Sequence, residues 1–201
     1  MSRSNGAAVS GMTFSWTSDG VGSVSNDGSG DQKLMNGMIR VPSSGATPAK
    51  LNLTGIPFTN YHVIVYIGSS YDGYRASIDL NNEPATIRQF TTSSSAARGR
   101  WEEIRPTLKT PSPVGNYVRY TNRTGSALTI NLNYIDGYDI GMHAIQLIDA
   151  NLDSDTSGIP DWYEMQYGLQ PASAATATAD PDADGLTNSQ EYTRGSNPKK
   201  L

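Results

Sequence analysis

With 201 residues and a net charge of −4, the chain is long enough for one ordinary core plus an appendage, which excludes a peptide or a simple tail. Its 20 glycines, 11 prolines and 11 tyrosines favour a turn-rich all-β chain, and the absence of cysteine excludes a disulfide framework and a thiolate metal site. The charge is uneven: residues 1–148 carry 12 basic and 10 acidic side chains and residues 149–201 carry 3 and 9, so the larger part lacks the basic stripe that nucleic acid needs.

Met1-Ser-Arg-Ser-Asn-Gly has no apolar segment of the kind a signal peptide carries, and no stretch approaches the 18 apolar residues of a membrane span. The chain therefore reads as a piece of a longer protein. From Gly11 to Asp149 short alternating segments follow one another, separated by turn clusters. Strands are expected at Met12–Thr17, Leu34–Val41, around Leu51 and Leu53, at Tyr61–Ile67, Tyr74–Leu80, Thr86–Thr91, Arg100–Arg105, Tyr117–Thr121, Leu128–Leu132 and His143–Ile148. Tyr61, Val63, Val65 and Ile67 share one face and His62, Ile64 and Tyr66 the other, so that strand is expected to be buried on both sides. Clusters at 25–30, 43–48, 91–97 and 111–113 supply turns. The fold implied is an antiparallel β-sandwich of jelly-roll type over residues 11–149, followed by a small calcium-binding loop–helix module over 150–198.

Within the sandwich, chemistry is sparse. His62 and His143 lie in apolar strands, where core or edge packing is the ordinary role, and no Gly-x-Ser-x-Gly, His-Glu-x-x-His or phosphate loop occurs. Glu102 and Glu103 fall on opposite faces of a strand and cannot flank one glycosidic bond. Asp72, Asp79, Asp136 and Asp139 could converge from different loops, although the Asp-Gly dipeptides favour plain turns. The expected role is binding, not catalysis. Two loops share an Asp-Gly-Tyr core, one offering Tyr71, Asp72, Tyr74 and Arg75 and the other Asp136 and Tyr138. A sugar presents apolar C–H faces to rings and hydroxyls to carboxylates and guanidiniums, which these residues supply, unless the tyrosines simply pack on the sandwich edge. Trp101 sits among Arg98, Arg100 and Arg105, a cluster that could grip an acidic glycan or guard an edge strand. Trp16 alternates with Phe14 and Met12, so core packing is expected for it.

After Ile148 two twelve-residue loops appear, beginning at Asp153 and Asp180. Each places oxygen donors at the EF-hand spacing for a hard cation. The first offers Asp153, Asp155, Ser157, the Ile159 carbonyl, Asp161 and Glu164, with Gly158 at the bend; the second offers Asp180, Asp182, Asp184, the Leu186 carbonyl, Asn188 and Glu191, with Gly185 at the bend. Clustered carboxylates stay ionised together only around a counter-charge, so calcium is the expected cofactor, with Ser157 and Pro160 making the first site the weaker. Pro160 opens a short helix closing at Gly168, and Thr187 with Gln190 makes a capping box for a second helix closing at Gly195. Sites of ordinary affinity fill outside the cell, where calcium modules work at roughly 10⁻⁴ to 10⁻³ M, so secretion is the economical expectation.

The run Asp153-Ser-Asp-Thr-Ser-Gly-Ile-Pro-Asp-Trp-Tyr-Glu with Tyr167-Gly-Leu, then Asp180-Pro-Asp-Ala-Asp-Gly-Leu-Thr-Asn-Ser-Gln-Glu-Tyr and Gly195-Ser-Asn-Pro, resembles the thrombospondin type 3-like calcium repeats of secreted bacterial proteins. That resemblance implies a calcium-rigidified spacer over about 151–198. The segment is also similar to dockerins, from which it departs in its closing glutamates and short helices, so no cohesin partner is implied. The text Leu51-Asn-Leu-Thr-Gly-Ile-Pro, Tyr61-His-Val-Ile-Val-Tyr, Asn116-Tyr-Val-Arg-Tyr and Gly141-Met-His-Ala-Ile-Gln-Leu-Ile loosely resembles galactose-binding-like carbohydrate-binding modules. It implies a polysaccharide or oligosaccharide ligand, a parent multidomain enzyme or surface protein, and a further structural calcium in the sandwich. The alternatives are a calcium-dependent adhesion or spacer module, and a polysaccharide hydrolase or lyase domain.

Overall fold

The computed structural model describes residues 11–18, 20–23, 37–41, 47–69, 71–92, 101–105, 113–137 and 139–200. The chain divides into two compact units, Met1–Leu147 and Ile148–Leu201. The turn clusters expected at 25–30, 43–46, 93–97 and 111–112, the start of the strand expected at Leu34, and Arg98, Arg100 and Tyr138 lie outside the described residues.

The first unit is a two-sheet β-sandwich. Its strands are β1 Thr13–Thr17, β2 Val21–Ser23, β3 Gly37–Arg40, β4 Ala49–Thr54, β5 Tyr61–Ser69, β6 Arg75–Leu80, β7 Arg88–Thr92, β8 Val114–Gly115, β9 Tyr117–Arg123, β10 Ala127–Asp136 and β11 Ile140–Asp149. One sheet has the order β1-β4-β10-β6-β7-β8 and the other β2-β3-β11-β5-β9. Alternation sets the packing: Leu51, Leu53, Ile78, Leu80, Ile130 and Leu132 from the first sheet meet Tyr61, Val63, Val65, Ile67 and Val118 from the second, all buried. Each such large side chain contributes roughly 1.5–3 kcal/mol on burial. The Tyr120 hydroxyl donates across the core to the Ile78 carbonyl at 3.3 Å, tying the two layers.

β5 is buried on both faces, since His62 and Ile64 on its outer side are buried as well as Val63 and Val65. At one edge the antiparallel β6–β7 pair is followed by β8, which runs parallel to β7. The single residue Asn116 separates β8 from β9, so the chain steps between sheets there. Asn116 is fully buried; its N–H donates to the Glu102 carbonyl and its side-chain oxygen accepts the Glu102 N–H, both at 2.9 Å. The strand expected at Arg100–Arg105 is correspondingly reduced, over its described part, to one parallel bridge between Glu103 and Tyr117. Thr86 ends a 3-10 turn, Pro84–Thr86, and the strand begins only at Arg88.

Trp16 and Phe14 are exposed, contrary to core packing, with 48% and 58% of their surface open. β1 is an edge strand whose Trp16 and Phe14 lie opposite Leu51 and Leu53. Those two rings stack at 6.0 Å and line a cleft of about 660 Å³ with Val21, Met38, Met142 and Ile145.

In the second unit, α1 spans Asp161–Tyr167 and α2 spans Asn188–Arg194. Pro160 precedes α1 and Gly168 closes it in the left-handed conformation. Thr187 and Gln190 form the reciprocal capping box of α2, which Gly195 closes. The core here is small: Ile159, Tyr163 and Ala177, flanked by Trp162, Tyr167, Leu169 and Tyr192.

Candidate functional site

The two acidic loops share one backbone. Position 4 of each, Thr156 and Ala183, is left-handed at φ 59° and 61°, and position 6, Gly158 and Gly185, at 83° and 92°. These bends turn main-chain N–H groups inward onto the first aspartate. Gly158 N–H donates to Asp153 Oδ2 at 2.8 Å and Gly185 N–H to Asp180 Oδ2 at 3.0 Å. Burial raises the pKa of the Asp153 carboxyl, but hydrogen bonds from the Gly158 and Ser157 N–H groups, with smaller ones from Asp155 and the Thr156 N–H, together hold the value below the ordinary range. In the second loop one carboxylate oxygen from each of Asp180, Asp182 and Asp184 lies within 4.8 Å of the others. The first loop differs at position 9, where Ser154 holds both Asp161 oxygens, at 2.7 and 2.6 Å.

The closing glutamates are fully buried. Glu164 Oε1 accepts from the Thr176 hydroxyl at 2.9 Å and Glu191 Oε1 from the Ser196 hydroxyl at 3.2 Å. In both loops the other oxygen, Oε2, is buried with no hydrogen-bond partner, and so is Oδ2 of the position-3 aspartate, Asp155 or Asp182. Burial, followed by the surrounding aspartates, pushes both glutamate carboxyls above their ordinary range, against the hydroxyl bonds that lower them. Asn188, buried at position 9 of the second loop, has an unpartnered Oδ1 as well. Enclosed oxygens left without donors at equivalent positions of two loops fit a hard cation, which takes oxygen ligands only.

The sequence expected the glutamates to chelate with both oxygens; here a hydroxyl engages one oxygen of each. Sequence reasoning did not single out Thr176 or Ser196 as partners, because each lies outside the twelve-residue motif.

At one end of the sandwich the two Asp-Gly-Tyr loops meet. A β-bulge in β10 between Tyr134 and Asp136 re-aims the Asp136 carboxylate, which accepts the Arg75 main-chain N–H at 2.9 Å and its Nε–H at 2.6 Å. The Arg75 guanidinium then holds the Asp136 carboxyl below its ordinary range. Gly137, at φ 90°, lies so close to the Tyr74 ring that an added Cβ would stand 2.2 Å from it. Tyr71, 57% exposed, sits 5.7 Å from Tyr74. Tyr71, Tyr74, Arg75 and Asp136 are therefore one cluster; Asp72 belongs to the same exposed turn, and Tyr138 lies outside the described residues.

Trp101 has an aromatic partner of its own. It packs edge-to-face on Tyr66 of β5 at 5.0 Å, and Tyr66 in turn meets Tyr117 at 6.1 Å and donates to Gln146 Oε1 at 3.1 Å. Tyr66, Tyr117 and Gln146 were not legible as partners because they come from three strands distant in sequence. His62 is buried and its Nδ1 accepts the Asn122 N–H at 3.1 Å, a structural engagement.

This geometry defines a two-sheet β-sandwich followed by a paired loop–helix unit with buried acidic groups. No protein-family model matches the chain, and no curated protein matches it. Among solved structures the chain is similar to the carbohydrate-binding module TmCBM61 in complex with β-1,4-galactotriose, at 12% identity and a TM-score of 0.35, over 70% of this chain and 89% of that one. A likeness of that size transfers no residue.

Proposed function

We propose that residues 150–198 hold two calcium ions and that residues 11–149 form a noncatalytic carbohydrate-binding domain, together part of a secreted bacterial protein active on polysaccharides. The observation that carries the cation reading is the repeated set of partnerless enclosed oxygens, Asp155 Oδ2 with Glu164 Oε2 and Asp182 Oδ2 with Glu191 Oε2. Hydroxyls, a carbonyl and carboxylates favour calcium over zinc or copper, which prefer nitrogen and sulfur. The second loop, with Asp184 at position 5 where the first has Ser157, is the tighter site. Extracellular calcium would keep such sites filled, which supports secretion.

For the sandwich, the support is the exposed Tyr71 ring beside Tyr74 and the braced Arg75–Asp136 pair. Rings take the apolar face of a sugar, while the ion pair offers donors and acceptors already fixed in place, so little ordering is lost on binding. Native mass spectrometry in calcium should count two ions per chain. Affinity electrophoresis against neutral and acidic polysaccharides should show retardation that Tyr71→Ala abolishes. No retardation across a broad panel would leave the calcium-held spacer as the better reading.

A further inference from the structure

The two acidic loops are joined through one residue that belongs to neither. Thr176 lies in the 3-10 turn Ala174–Thr178, beside Ala177 of the small core. Its hydroxyl stands 2.9 Å from Glu164 Oε1 at the end of the first loop, and its carbonyl accepts the Asn188 Nδ2–H at 2.7 Å from position 9 of the second. The hydroxyl also lies 3.0 Å from the Ser173 carbonyl, but an ionised carboxylate is the stronger acceptor for its single proton. A second connection runs beside the first. The Tyr163 hydroxyl, next to Glu164, donates to the Ser196 carbonyl at 2.9 Å, and the Ser196 hydroxyl reaches Glu191 Oε1 at 3.2 Å.

Both ends of these connections are enclosed groups in which one oxygen still lacks a partner. Glu164 and Glu191 are fully buried and Asn188 nearly so, with Glu164 Oε2, Glu191 Oε2 and Asn188 Oδ1 unsatisfied. We infer that Thr176 is a positioning residue that couples the two cation sites, so that filling the second loop raises the affinity of the first. The inference rests on the cation reading above. A cation drawing in Asn188 Oδ1 fixes that amide, and the amide holds the Thr176 turn. The turn then holds Glu164 by Oε1, with Oε2 left for the first cation. A core of three buried residues cannot order this turn strongly by itself, so the ordering done by one ion need not be repeated for the other. The second loop fills first, because it has Asp184 at position 5 where the first has Ser157, and because Ser154 already engages both oxygens of Asp161.

The test is a calorimetric titration of the full chain with calcium chloride, in the wild type, Glu191→Gln, Thr176→Val and the double variant. Thr176→Val keeps the carbonyl to Asn188 and the side-chain shape while removing the hydroxyl. In the wild type two ions bind, and Glu191→Gln should weaken the remaining first-loop site about tenfold, a typical coupling between linked sites. In the Thr176→Val background that penalty should shrink below about threefold, whereas Thr176→Ser should retain it. If Thr176→Val fails to fold, Thr176→Ala, which also removes the hydroxyl and keeps the carbonyl to Asn188, takes its place. Two ions binding with no effect of Glu191→Gln on the first loop, or a penalty unchanged by these variants, overturns the coupling and leaves the cation reading standing. A wild type that takes up no calcium removes both.

Discussion

At the residue scale, buried polar groups show where the backbone departs from regular pairing. Between Tyr61 and Val63 the β5–β9 register slips by one residue, and Asn122 occupies the left-handed region at φ 53°. The Asn122 N–H, displaced from the ladder, donates instead to His62 Nδ1, which an imidazolium could not accept. Burial, then the nearby Arg119 charge, holds the His62 pKa below its ordinary value of 6.5, against a bond to the Tyr61 backbone that raises it. The unfolded chain therefore takes up a proton near pH 6.5 that the folded chain refuses. Stability from this group is complete above that pH and falls as the solution is acidified, until the folded value is reached, by at most about 1.4 kcal/mol per pH unit. Urea denaturation at pH 7.5 and 5.5 should show the loss in the wild type and a smaller loss in His62→Gln. Equal losses in both would show that the histidine does not cause it.

At the element scale, what the sequence revealed was whatever depends on neighbours along the chain. The capping box of α2 was legible because Thr187 and Gln190 are three residues apart, and the doubly buried β5 because its apolar residues fill both alternating sets. β2 and β8 were not legible. Each is two or three residues long and exists through its partner, β3 or β7, instead of its own pattern. The meeting of the 71–75 and 136–137 loops was hidden for the same reason, since it depends on β10 lying beside β6. Phe14 and Trp16 alternate as core residues do, but β1 is an edge strand, and alternation does not tell an edge from a centre. The cap itself is testable. α2 has seven residues, too few to hold its form unaided, so Thr187→Ala should cost the second unit about 1 kcal/mol, read as a lower melting temperature. Thr187→Ser should cost much less, because it keeps the oxygen that accepts the Gln190 N–H.

At the scale of the whole molecule, the two units are held by different means. The sandwich buries a continuous cluster running from Val41 to Met142, which is the ordinary source of domain stability. The second unit encloses Ile159, Tyr163 and Ala177, and its remaining buried side chains include Asp161, Glu164, Asn188 and Glu191. Burying carboxyls with unsatisfied oxygens opposes folding by several kcal/mol unless a counter-charge is present. On the proposed cation reading, binding there is part of folding, whereas the sandwich core has no such requirement. Limited proteolysis read by mass spectrometry separates the two cases. In calcium the chain should resist cleavage throughout residues 150–198. With excess chelator, cuts should appear there first and leave a protected fragment ending near Asp149, and restoring calcium should reverse the change. An identical cleavage pattern with and without chelator would mean that the small aromatic cluster around Tyr163 holds the unit together alone, and that its buried glutamates are tolerated as uncharged acids.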